Sequence, residues 1–225
     1  MNNILMRLGF KVTLEENASQ RDMLTTFKNY IAQAERHDVR LIYFAGHGVQ
    51  WRGKNYLIPV DIEIQREEDL VNNAVDLTEV VERLTNMRQG INIIIVDACR
   101  DNPFTGSVAR LADARRIRTR GLAAKRDEAS IGLAEVQVND SGTVIAFSTS
   151  PGSLASDGNG NRNSIYTRHL LENIDRPGQT IEKMLKQVRI GVSQETNFSQ
   201  IPWESSSLMG EFCFKPIARG VCGGD

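Results

Sequence analysis

Residues 93–101 read Ile-Ile-Ile-Val-Asp-Ala-Cys-Arg-Asp, and their reading decides the fold. Four β-branched apolar residues in a row show no polar alternation. The strand they form is therefore covered on both faces, as in the middle of an α/β sheet. The same strand then delivers Asp97, Cys99, Arg100 and Asp101 in quick succession. Either Cys99 is a core residue that happens to close a strand, or the strand presents a nucleophile. Taken alone, a free cysteine in such a place is more often buried and inert.

Two further apolar runs, RLIYFA (40–45) and TVIAFSTS (143–150), read as strands of the same buried kind. Helices are expected over residues 4–10, stopped by Gly9, and from Ser19, a cap with Asp22 three residues on, to about Arg36. Others are expected from Thr78 to about Met87 and over about 164–174 and 180–194. KVTL (11–14) reads as a short strand, VQWRGKNYLIPVD (49–61) as a hairpin turning at Arg52-Gly53, and GEFCF (210–214) as a final strand. The stretch PGSLASDGNGNRNS is loop by composition. Strands alternating with helices predict an α/β sandwich with a mostly parallel central sheet. Such sheets bind ligands beyond the carboxyl ends of their strands. Both Gly46-His47-Gly48 and Asp97-Ala98-Cys99 fall at such ends.

Composition narrows the field without choosing within it. The 225 residues suit one large domain or two small ones, and 40% hydrophobic with 24% charged residues is ordinary for a globular chain. A net charge of −1 gives no reason to expect nucleic acid or a membrane as partner. No apolar run approaches the roughly 20 residues that span a bilayer. MNNILMRLGF lacks the apolar core of a signal peptide, so a cytoplasmic location is the default. Cys99, Cys213 and Cys222 form no Cys-x-x-Cys pair. Reduced thiols are expected, with a Cys213–Cys222 bridge left open.

Nucleophilic cysteine chemistry needs a histidine to manage protons and donors for the oxyanion. His47 ends one strand and Cys99 another, 52 positions later. On neighbouring parallel strands the two would share one rim. The Gly48 and Cys99 N–H groups are then candidate oxyanion donors. His37 and His169 sit in polar helical contexts and read as surface residues. Asp97 with Asp101 also fits a phosphoryl-transfer nucleophile, and Asp97, Cys99 and His47 a zinc site. Neither accounts for the whole set, because no partner lysine and no short-spaced ligand pair stand near.

LIYFAGHG, NYLIPVD, IIIVDACRDNPF, TVIAFSTSPG and QIPWESSSLMGEFCF, in that order, resemble the caspase-like cysteine peptidases, and most nearly the bacterial metacaspase-like group (orthocaspases). The caspase signature is Gln-Ala-Cys-[Arg/Gln/Gly]-Gly with a histidine about 50 residues upstream. This chain keeps Ala-Cys-Arg and the spacing, with Asp97 in place of the glutamine and Asp101 in place of the glycine.

The resemblance implies a single caspase-like domain over 1–225, a three-layer sandwich. It divides into a large-subunit-like part (1–104), a basic linker (105–141) and a small-subunit-like part (142–225). It further implies a Cys99–His47 dyad and no cofactor. Asp97, and Asp157 where caspases carry an arginine, would form an acidic pocket for the arginine or lysine before the scissile bond. Peptides or proteins with such residues are the implied partners. The linker holds Arg110, Arg115, Arg116, Arg118, Arg120, Lys125 and Arg126, so a protease of this preference is expected to cut itself there. Family members usually begin with a strand and an Asn-Asp loop that this chain lacks, so the sheet is expected to be short of its first strand. The acidic stretch Asp61, Glu63, Glu67, Glu68 and Asp69 is not a calcium loop, and no calcium site is expected. Caspases dimerise through their last strand whereas metacaspases are commonly monomeric, which leaves oligomeric state open. The rival expectation is a catalytically silent caspase-like binding or signalling module.

Overall fold

The structure, a computed structural model, describes residues 1–64, 67–87, 89–99, 142–150, 163–217 and 221–223, with the backbone alone at Glu67 and Cys99. The basic linker and Asp157 lie outside the described residues. So do all but the last two residues of the glycine-rich loop.

Six strands form one mixed sheet in the order β3-β2-β1-β4-β5-β6. β1 (Val39–Trp51), β4 (Ile91–Cys99) and β5 (Thr143–Phe147) are parallel and make its centre. β2 (Lys54–Ile58), β3 (Val75–Asp76) and β6 (Trp203–Ser206) join antiparallel at the flanks. The alternation of side chains along the central strands splits the core in two. Ile93, Ile95, Val144 and Ala146 face α1 (Asn2–Arg7), α5 (Ile165–Asn173) and α6 (Ile181–Glu195). Ile94, Val96, Ile145 and Phe147 face α2 (Gln20–Ala34) and α4 (Leu77–Thr85). The result is an α/β sandwich, as the apolar runs called for, in the three layers that the resemblance implied.

Local chemistry sets the element ends. Ser19 caps α2, its Oγ accepting the Asp22 N–H at 3.2 Å and donating to the Asp22 carboxylate at 2.6 Å. Asp76, Ser164 and Thr180 cap α4, α5 and α6, each side-chain oxygen accepting a backbone N–H of the first turn. Arg52 and Gly53, both at positive φ, turn the β1–β2 hairpin in two residues, which matches the twist of the strands they join. Gly90 precedes β4 with φ +95°, and a Cβ there would lie 2.5 Å from the buried Arg40 guanidinium.

Several expectations are corrected. RLIYFA and the hairpin's first arm are one unbroken strand, β1. KVTL is not a strand. Phe10 and Val12 pack against the α1 side of the core, but none of the described strands lies beside them. The last strand is Trp203–Ser206, because these residues take the free edge of β5. Residues 210–214 instead cross the end of α6, where the Phe212 carbonyl accepts the Ile181 N–H at 2.8 Å. Two elements were not foreseen in the polar stretch after the hairpin, α3 (Glu67–Asn73) and β3. There Ile62, Ile64 and Leu70 close a small core with Trp51 and Tyr56. The cysteines are not all reduced: Cys213 and Cys222, both buried, form a disulfide with Cα atoms 5.7 Å apart.

The sheet has a step in it. β1 pairs with β4 from Val39 to His47, but with β2 only from His47 to Trp51. Over residues 39–46 the opposite edge of β1 meets none of the described strands.

Candidate active site

The rim at the carboxyl end of β4 gathers most of the candidate residues. Its register sets Val39 against Ile91 and runs without a bulge to His47 against Cys99. Adjacent strands lie about 4.8 Å apart, so the two candidate chemical residues are immediate backbone neighbours. His47 does not follow the end of a strand, as the sequence suggested, but sits inside β1 where the strand changes neighbours. It is opposite Cys99 on one side and Ile58 on the other. Its backbone is thus fixed from both edges, the kind of rigid support a reacting group needs. The imidazole is half-buried, and its Nδ1 is shielded from solvent with no hydrogen-bond partner among the described residues.

The flanking glycines differ. Gly46 is exposed, and a Cβ on it would come within 2.9 Å of the Phe44 ring. Gly48 is buried and stands opposite Leu57 in the β1–β2 ladder.

Asp97 lies two residues before Cys99, opposite Ala45, and its side chain is buried. Its Oδ2 accepts the Ser164 hydroxyl and, at 2.5 Å, the Thr167 hydroxyl. The Tyr43 hydroxyl lies 2.5 Å from Thr167 Oγ1. Burial first, and then the nearby Asp97 charge, hold the Tyr43 phenol well above its ordinary pKa, and the same two causes act on Tyr166. Sequence reasoning missed Tyr43, Ser164 and Thr167. The available signal was Ser164 at a helix start with Thr167 three residues on, a pair that points at whatever strand end faces the helix.

The comparisons with known proteins bear on the chain as a whole. Residues 1–213 match the caspase domain family. The chain belongs to that family. Caspase-1 from Spodoptera frugiperda superposes on this caspase domain with a TM-score of 0.57 at 17% identity, over 97% of this chain and 79% of that one. The mucosa-associated lymphoid tissue lymphoma translocation protein 1 of Homo sapiens and its Mus musculus homologue are each 21% identical over 117 residues. That stretch is 52% of this chain but only 14% of either relative.

The other histidines of the caspase domain stand apart. His37 is exposed, as expected. His169 is not a free surface residue: its ring lies over Gly191, with Nε2 2.8 Å from Glu195 and Nδ1 3.4 Å from Glu172. Arg168 grips the same Glu195 at 2.5 Å. Hydrogen bonds from Arg168, then from His169, bring the Glu195 carboxyl down to about 2. These contacts brace α5 against α6. In the acidic stretch Asp61 accepts the Gln20 N–H at 2.9 Å, a structural use of one carboxylate. Among the described residues no group of three or more acidic, histidine or cysteine side chains is placed to hold a metal ion.

Proposed function

We propose that this caspase domain is a cysteine endopeptidase that cleaves after arginine or lysine. The observation that carries the reading is the register of His47 with Cys99 at the rim of the parallel centre. Cys99 attacks the carbonyl carbon of the scissile bond, and the C–N bond breaks as His47 delivers a proton to the leaving amine. Water then attacks the thioester, releasing the new carboxyl group and restoring the thiol. The N–H groups of Gly48 and Cys99 are assigned to the oxyanion. Asp97, with Asp157, supplies the acidic pocket: a buried carboxylate attracts a guanidinium by charge-assisted hydrogen bonds and rejects an aspartate. The linker arginines between β4 and β5 make self-cleavage the corollary.

Fluorogenic peptides ending in arginine, lysine or aspartate test this with wild-type protein beside Cys99→Ala and His47→Ala. Turnover after arginine that both substitutions reduce by about a thousandfold or more is expected. Turnover after aspartate overturns the pocket assignment. Folded protein without any turnover favours the silent-module reading. Intact mass of wild type against Cys99→Ala reads self-cleavage, and identical fragments from both would sink it. No described helix is long and apolar enough to cross a membrane. The disulfide favours an oxidising compartment over the cytoplasmic default. Alkylating thiols before cell lysis tests that, since a labelled Cys213 or Cys222 would contradict it.

A further inference from the structure

We propose that Thr167 and Ser164, at the amino end of α5, are positioning residues that fix the Asp97 carboxylate in the orientation used to hold a basic substrate side chain. The inference rests on the reading of Asp97 as the pocket residue. Both hydroxyls converge on one oxygen, Oδ2. Thr167 has a single proton to give and gives it to Asp97, so Tyr43 is the donor in the Tyr43–Thr167 contact. Tyr43, Thr167 and Asp97 therefore form a directed chain in which each bond polarises the next. Thr167 is 3% exposed, so this chain runs through the protein interior.

Ser164 does two jobs at once. Its Oγ accepts the Thr167 N–H at 2.9 Å as the helix cap and donates to Asp97. The amino end of α5 adds its own positive potential at the carboxylate. A tie between helix and strand alone would not call for this geometry. Tyr166 and Leu170 already pack α5 against Ile93 and Ile95. Two hydroxyls on one carboxylate oxygen fix the plane of the group as well as its place. Rotational freedom that a guanidinium would otherwise have to remove on binding is lost already during folding.

The test compares Thr167→Val, which keeps the shape and removes the donor, with Thr167→Ser, which keeps the donor, and with Asp97→Asn. KM and kcat are measured on matched peptides ending in arginine or in uncharged citrulline. Binding of the arginine peptide to each variant in a Cys99→Ala background is measured by calorimetry, so that an inactive protein still reports. Melting temperatures establish that each variant is folded. Thr167→Val is expected to raise KM for the arginine peptide about tenfold and weaken its binding equally, with kcat and the citrulline peptide little changed. Thr167→Ser should restore most of the loss. If Thr167→Val depresses both peptides alike, its role is structural and the proposal fails. If Asp97→Asn abolishes arginine preference while folded Thr167→Val keeps it, the proposal fails and the pocket reading stands. If Asp97→Asn itself leaves the preference intact, both fall together.

Discussion

β1 and β4 lie side by side in register, built from similar apolar residues, and yet differ in how well they are covered. In β4, Ile93 and Ile94 are wholly buried and Ile95 and Val96 are 1% exposed. In β1, Leu41, Tyr43 and Phe44 are half-buried, and Ala45 and Gly46 are exposed. Composition does not separate them. Among the described residues, β4 has a strand on each side along most of its length, whereas β1 has one only on its β4 side until His47. Burial in a sheet follows from neighbours on both edges as much as from the apolarity of the strand.

The sharpest test of that difference uses one substitution in two places. Ile94→Ala and Ile42→Ala both open the α2–α4 side of the core. Chemical denaturation should show a cost of about 4 kcal/mol for Ile94 and about 2 kcal/mol for Ile42, whose edge can relax. Equal costs would mean that the free edge does not loosen β1. Next in size is the staple. Cys222→Ser should lower stability by about 2–3 kcal/mol, because it frees a segment whose Phe214 packs on the other side of the core. It should leave the contrast between β1 and β4 unchanged. Native-state hydrogen exchange reads that contrast directly, with amides of residues 39–46 exchanging faster than those of 92–98. Convergence of the two strands after Cys222→Ser would trace β1's exposure to slack on the α1 side instead.

The smallest effect belongs to the α5–α6 brace. Glu195 is held down to about 2 in the folded chain, against an ordinary value near 4.5. Its stabilisation is therefore complete above the ordinary value and is lost as pH falls from about 4.5 toward 2. The pair is solvent-accessible, so the loss is at most about 1 kcal/mol. Glu195→Gln should flatten that part of the stability profile without changing the exchange of β1 or β4.

The sequence exposes the centre of this fold and hides its edges for a physical reason. IIIVDAC and TVIAF need partners on both faces, so continuous apolarity reports them. KVTL and GEFCF have strand composition, but a strand needs an edge to pair with, and the edge of β5 goes to Trp203–Ser206. Cys99 and His47 could be set side by side from spacing because each follows an apolar run and the two runs pair as parallel neighbours, although β1 continues past His47. The anchoring of Asp97 could not. It depends on where the amino end of α5 comes to rest, 67 residues further along the chain at Ser164.

The Cys213–Cys222 bond has a practical consequence for counting molecules. The chain has three cysteines, and two of them are spent on each other. Cys99 is left as the sole thiol, so any thiol-specific label applied to native protein reports on that residue alone. Moles of label bound per mole of chain then measure the fraction of molecules whose proposed nucleophile is intact. Rates of turnover can be expressed per competent site, and a stoichiometry climbing from one toward three would signal that the preparation has been over-reduced.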